Sequence, residues 1–166
     1  HGAIAKNHGV FEMARAPYIA YLDDDDEYHP DFLRVMMGAV AKHPEQQVFY
    51  CRCQYRDKKT GRRIFGNPFQ GWLHRWDREK LQRYNFINTA NVIHTRALID
   101  EVGGWDPNDY FDDYDLWKRM SEKTDFLYVN RPLVISHVGD CPPFFVRLFT
   151  KGWKILRYGR RLQDQG

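Results

Sequence analysis

The sequence has no apolar run long enough to cross a bilayer, which takes about 20 residues. No signal-peptide pattern opens it. Cysteine is scarce. Cys51, Cys53 and Cys141 are odd in number, and the first two stand as C-x-C. That builds neither a disulfide framework nor a zinc site, and a reducing, cytoplasmic compartment is the expectation. A strong field of one sign is missing too. The net charge is only +3, which argues against nucleic acid as a partner of the whole chain. No internal repeat or low-complexity linker divides the sequence.

What is present suffices for a core. An apolar fraction of 43%, with 16% aromatics, excludes disorder, and 166 residues fit one domain. The expected division is a domain over residues 1–140 and a basic tail over 141–166. That tail carries Arg147, Lys151, Lys154, Arg157, Arg160 and Arg161 against Asp164 alone, which leaves the first 140 residues slightly acidic. Phe145, Leu148, Phe149, Trp153, Ile155 and Leu156 interleave with those bases. Such a stretch either packs its apolar face on the domain or lies peripherally on an anionic membrane surface.

Strands alternate with helices along the rest. His1 to Arg15 reads as a helix, with Ile4, Phe11 and Ala14 near one face and Val10 and Met13 beside it. Tyr18 to Leu22 reads as a buried strand. Pro30 opens a helix whose Phe32, Leu33, Met36, Met37 and Val40 recur at helical spacing. Val48 to Arg56 is a strand with Phe49, Cys51, Cys53 and Tyr55 on one face, and Asp57 to Gly61 a hairpin turn. Residues 65–83 read as loop with a short helix, and 86–94 contain a strand. Thr95 to Val102 is a helix stopped by Gly103 and Gly104. Asp113 to Lys123 is a second, with Leu116, Trp117 and Met120 inward. Phe126 to Val129 and Leu133 to His137 read as two short strands. The class is α/β, with a layered sheet and helices.

Two acidic constellations carry the chemistry. Asp23 to Glu27 is five consecutive acids between an apolar strand and a helix. Carboxylates so crowded repel one another, and a hard divalent cation relieves that repulsion. A solvated acidic loop is the plainer reading of the run alone. The second is Asn108 to Arg119, where Asp109, Asp112, Asp113 and Asp115 gather at a helix start after a Gly-Gly-Trp turn. A helix N-terminus accommodates one or two acids cheaply, but not four. Arg119, on the same helix, can pair internally or reach an anion. One cluster can hold a metal while the other takes a proton.

Together these stretches resemble a known family. Ala5-Lys-Asn-x-Gly9, followed by Ala16-Pro-Tyr-Ile-Ala-Tyr-Leu-Asp-Asp-Asp-Asp-Glu-Tyr-x-Pro30, is similar to the A-R-N-x-G helix and L-D-x-D-D strand end of family-2 glycosyltransferases. Leu98 to Arg119 is similar to that family's E-V-G-G-F-D turn and E-D-x-D-L-x-x-R helix. The resemblance implies a GT-A fold, a Rossmann-like mixed or parallel sheet flanked by helices. It also implies two further strand-helix units ahead of the D-x-D strand, and nothing in this chain matches them.

Roles follow from the resemblance position by position. Asp25 would bind Mn²⁺ or Mg²⁺, with Asp23 beside it in the D-x-D element. His137 stands where some relatives complete the metal site, although an isolated histidine has packing or surface roles as well. Asp23, Asp24, Lys6 and Asn7 would face the nucleotide sugar, with Lys6 where the family often has Arg. Asp113 would be the general base. Asp112, where the family usually has Glu, would lie on the acceptor side with Trp105, Asn88 and Asn91, near Thr89. Trp72, Trp76 and Trp105 can stack on sugars or anchor the core. The implied activity is inverting, metal-assisted transfer from a nucleoside diphosphate sugar, a UDP-sugar being the commonest donor, to a carbohydrate, lipid or protein acceptor. The alternatives are a non-catalytic cation-binding domain and a membrane-surface module.

Overall fold

A computed structural model describes residues 2–64, 75–109 and 112–138, excluding the side chains of Asp112 and Val138. The basic tail, the stretch 65–74 and Trp72 lie outside the described residues.

Helix α1 (Gly2–His8) runs on into a wider π-turn (Gly9–Met13). The turn is closed by the Ala14 amide donating to the Gly9 carbonyl five residues back. Ala3 and Val10 are the buried residues of this segment, whereas Ile4 and Met13 are exposed. The apolar face is therefore rotated from the expected one. It is centred on positions seven apart, with Phe11 and Ala14 packed at its margin.

Among the described residues, five strands form one mixed sheet in the order β1-β4-β3-β5-β2. They are β1 (Tyr18–Ala20), β2 (Asp26–Tyr28), β3 (Val48–Asp57), β4 (Val92–Thr95) and β5 (Phe126–Val138). Central β3 runs parallel to β5 and antiparallel to β4. The edges β1 and β2 lie antiparallel to their neighbours. The expected mixed sheet is present, with a single parallel pair at its centre among the described residues.

β3 shows the period-2 alternation that sorts the core into two layers. Val48 and Tyr50 face one cluster with Leu98, Ile99, Trp105, Leu116, Trp117 and Met120. Phe49, Cys51 and Cys53 face the other, under Phe32, Met36 and Val40 of α2 (Phe32–Lys42). Leu33 and Met37 of α2 point to solvent, so only the i, i+4, i+8 row of the expected apolar set is core.

On the first face lie α3 (Arg78–Arg83), α4 (Arg96–Val102) and α5 (Asp112–Lys123). Their ends follow local chemistry. The Asp77 side chain caps α3 by accepting from the Lys80 amide at 2.9 Å. Thr95 caps α4 by accepting from the Leu98 amide at 3.3 Å. Gly103 ends α4 at φ +81°, in the left-handed region glycine favours.

Two expectations are corrected. Asp26–Tyr28 is an edge strand and not part of a loop, since its backbone pairs with Val134 to Ser136. The stretch 126–138 is one strand and not two. Its register against β3 shifts between Cys51 and Cys53, where Arg52 pairs with Pro132. A bulge there absorbs the proline, which has no amide to donate.

Candidate active site

One end of the sheet collects the chemistry. β1 ends at Ala20, β3 at Asp57 and β5 at Val138, and the antiparallel partner β4 begins there from a 3-10 turn (Thr89–Asn91). The acidic run follows β1. The Asp26 amide donates to the Asp23 carbonyl at 3.1 Å, which closes a tight turn before β2 starts. Asp26 then lies opposite Ser136 of β5, and Tyr55 of β3 lies opposite the same serine.

Each acid meets a different environment. Asp25 is half exposed and accepts from the Lys58 ammonium at 2.9 Å. That hydrogen bond holds its carboxyl below the usual range. Asp26 is partly buried, and desolvation pushes its carboxyl up, reinforced by the charges of Asp23 and Asp25. Glu27 meets His137 Nε2 at 2.6 Å. The structure thus brings His137 to the acidic stretch, but onto Glu27. Among the described residues no three His, Cys, Asp or Glu side chains converge as a metal cage.

The other sequence motifs converge beneath this turn. The Asn7 side chain donates to the Trp105 carbonyl and accepts from the Trp105 amide, both at 2.8 Å. Gly104 makes that approach possible. A Cβ there would sit 2.7 Å from Asn7 Oδ1 and 2.7 Å from the Phe11 ring, on backbone with φ +80°. The Lys6 ammonium lies 4.1 Å from the centre of the Trp105 ring. Arg119 donates to the carbonyls of Val102 and Gly104 at 2.6 and 2.8 Å and pairs with Asp115. It therefore pairs internally, the first of its two readings, and clamps the Gly-Gly-Trp turn onto α5.

Trp105 is 1% exposed. Its indole donates to the Tyr21 hydroxyl at 3.2 Å, and that hydroxyl meets His94 Nε2 at 2.9 Å. His94 Nδ1 lies 2.9 Å from the Thr95 carbonyl, which only a protonated Nδ1 can satisfy. Nε2 is then the acceptor, so Tyr21 donates to it. Burial holds His94 neutral, with its pKa pushed down to about 4. Trp105 thus lies buried beneath the site, and the Asn7 side-chain amide makes both of these hydrogen bonds to Trp105. Trp76 likewise stacks on Phe126 at 4.3 Å and donates to Asp125, an anchoring role.

Asp113 lies in the first turn of α5, half-buried, with its carboxylate 3.5 Å from the Thr89 hydroxyl. The Trp117 indole ties α5 to this segment by donating to the Ile87 carbonyl at 3.2 Å. Beside Thr89, the Asn88 amide donates to the Tyr55 hydroxyl at 2.8 Å. Asn91 is buried, and its side-chain oxygen has no hydrogen-bond partner among the described residues. Neighbouring contacts therefore run from Asp113 through Thr89, Asn88 and Tyr55 to Ser136 and Asp26. Asp112 occupies the same first turn, and its side chain is outside the described residues.

Sequence reasoning missed Lys58, Tyr55 and His94. Lys58 sits in what reads as a solvent hairpin, and no local pattern connects it with Asp25. His94 falls within an apolar strand pattern, where a histidine that is fully buried has no separate signal.

The sequence model of glycosyl transferase family 2 matches residues 1–102, more than half of the chain. The chain belongs to glycosyl transferase family 2. The matched stretch contains the Asn7 helix and the whole acidic turn, while Asp113 lies beyond it. The S. aureus TarS 1-349 crystal structure superposes with a TM-score of 0.59 at 12% identity, over 81% of this chain and 40% of that one. That likeness shows a shared fold and agrees with the GT-A-like architecture expected. The Sinorhizobium fredii protein y4gI is 31% identical over 126 residues, and Bacillus subtilis protein CgeD 25% over 134. These matches cover about three quarters of this chain but only 13% and 30% of those proteins. No helix among the described residues is long and apolar enough to cross a membrane.

Proposed function

We propose that this family-2 chain forms the catalytic part of an inverting glycosyltransferase that uses a nucleoside diphosphate sugar, a UDP-sugar first. The observation that carries the reading is the run of contacts from Asp113 to the acidic turn. It joins a half-buried carboxylate on one helix to a cluster of carboxylates at the end of β1.

The acidic turn is suited to a divalent cation by the chemistry of its donors. Asp23, Asp25 and Asp26 offer oxygens only, the hard donors such an ion prefers, and the Asp26 carboxyl is raised by burial first and by the charges of Asp23 and Asp25 after it. Asp25 and Asp23 are the residues that would hold Mn²⁺ or Mg²⁺. A bound cation would neutralise the diphosphate as negative charge develops on it.

The chain's own residues account for the rest. Asp113 accepts the proton of the acceptor hydroxyl. The hydroxyl oxygen forms a bond to the anomeric carbon as the bond from that carbon to the diphosphate breaks. The nucleoside diphosphate leaves with the bonding pair, and a single displacement inverts the anomeric configuration. Thr89, within reach of the Asp113 carboxylate, orients that base, and Asn88 and Asn91 border it on the acceptor side.

Turnover of UDP-sugars by the wild type and by Asp113→Asn tests this reading. Asp113→Asn is expected to lose roughly 10²–10⁴-fold in transfer rate while keeping donor binding. Transfer by the variant at the wild-type rate would remove Asp113 from the chemistry.

A further inference from the structure

Lys58 is the one cation that the fold brings onto Asp25 among the hydrogen bonds of the described residues. It reaches there from the turn after β3, 33 positions along the chain. The turn is built to hold it. The Asp57 carboxylate accepts from the Lys59 amide at 3.1 Å, the Thr60 amide at 2.7 Å and the Thr60 hydroxyl at 2.8 Å. Gly61 closes the turn at φ +67°, its amide donating to the Asp57 carbonyl at 2.8 Å.

We propose that Lys58 is the resident counter-ion of the acidic turn, displaced from Asp25 by a divalent cation and then paired with the diphosphate of the donor. This rests on the reading of Asp25 as the cation-binding residue. An ammonium 2.9 Å from a carboxylate oxygen and a divalent ion on the same carboxylate repel each other, so the two compete for Asp25. Both side chains are about half exposed, at 47% and 48%. An ion pair so placed is weak and yields readily to a doubly charged competitor. The anchored turn keeps the released ammonium beside the same site. Its flexible four-carbon stem lets it follow the next anion to arrive, and a nucleoside diphosphate brings that anion.

The exchange makes opposite demands of one residue, and titrating Mn²⁺ alone and UDP at saturating Mn²⁺ reads both. The proteins are the full chain as wild type, Lys58→Met and Asp25→Asn, followed by calorimetry and by the unfolding midpoint. Lys58 is exposed, so the midpoint of Lys58→Met without ligand is expected to match the wild type. Lys58→Met should bind Mn²⁺ about two- to fivefold more tightly, the fold-change equivalent of the ion pair it loses. It should bind UDP several-fold more weakly once Mn²⁺ is saturating. Unchanged or weaker Mn²⁺ binding in Lys58→Met would overturn the counter-ion role, and unchanged UDP affinity would overturn the transfer to the diphosphate. A wild type that binds no Mn²⁺, or binds it no better than Asp25→Asn, would instead overturn the cation-site reading beneath both.

Discussion

Asn7 grips the backbone of Trp105 at both ends of one peptide-like contact, donating to its carbonyl and accepting from its amide at 2.8 Å each, across 98 residues of sequence. Two stretches that look independent in the sequence, the helix before the acidic run and the Gly-Gly-Trp turn, are one structural unit. Trp105 then passes the constraint on through its indole to Tyr21, which stands immediately ahead of Leu22 and the aspartates. The geometry of the acidic turn is braced from below by these contacts.

Gly104→Ala should be among the most damaging single-methyl additions in the chain. The new Cβ meets Asn7 and Phe11 at 2.7 Å, on left-handed backbone. A loss of roughly 2–4 kcal/mol is expected from the clash together with the backbone penalty. Gly9→Ala, where a Cβ meets nothing within 4 Å and φ is not left-handed, is the matched control. Denaturant titration of both compares them directly.

Arg119→Met should destabilise the chain without touching any residue assigned to catalysis. It strips the donors from the carbonyls of Val102 and Gly104 and leaves Asp115 unpaired. An exposed ion pair would be worth little. Here the side chains are 29% and 23% exposed, and orphaned groups cost about 1–3 kcal/mol each. Urea unfolding is expected to show a loss of about 2–4 kcal/mol. Arg119→Lys should recover only part of it, because a lysine cannot reproduce the planar fork.

His94 makes stability fall towards acid. Its folded pKa is about 4 against 6.5 for the free group. Between those values the unfolded chain binds more protons than the folded one, so stability rises with pH across this window. The contribution is complete above pH 6.5 and fully lost below pH 4. Between neutral pH and about pH 5 the loss from this group is about 2 kcal/mol. In His94→Gln, which offers Tyr21 an acceptor that does not titrate, this part of the pH dependence should vanish. Denaturation series at several pH values measure the difference.

Much of this was legible in local patterns. Thr95 and the two glycines at 103 and 104 delimit α4 in both sequence and structure. Leu116, Trp117 and Met120 turn inward at the spacing a helix dictates. The alternation in β3 separates the two core layers correctly. Relations set by tertiary pairing were not legible. Asp26 to Tyr28 carries no apolar alternation, so it becomes a strand only because the edge of β5 offers it partners. Pro132 reads as a break until a bulge accommodates it. Trp105 looks available for a sugar until Asn7, Lys6, Tyr21 and Trp117 close around it. Lys58 has no signature at all, because its contact with Asp25 depends on the order of β3, β5 and β2 in the sheet.

The reading of the acidic turn as a cation and nucleotide site stands or falls on ligand-dependent stability. Thermal unfolding of the full chain would be followed with Mn²⁺ and UDP, separately and together, for the wild type and for Asp25→Ala. With Mn²⁺ saturating and UDP at about a hundredfold its dissociation constant, UDP is expected to add nearly 3 kcal/mol to the wild type, a rise of several degrees. Asp25→Ala should gain little or nothing. An equal gain in Asp25→Ala, or no gain in either protein, would contradict the assignment of this turn as the donor-binding centre.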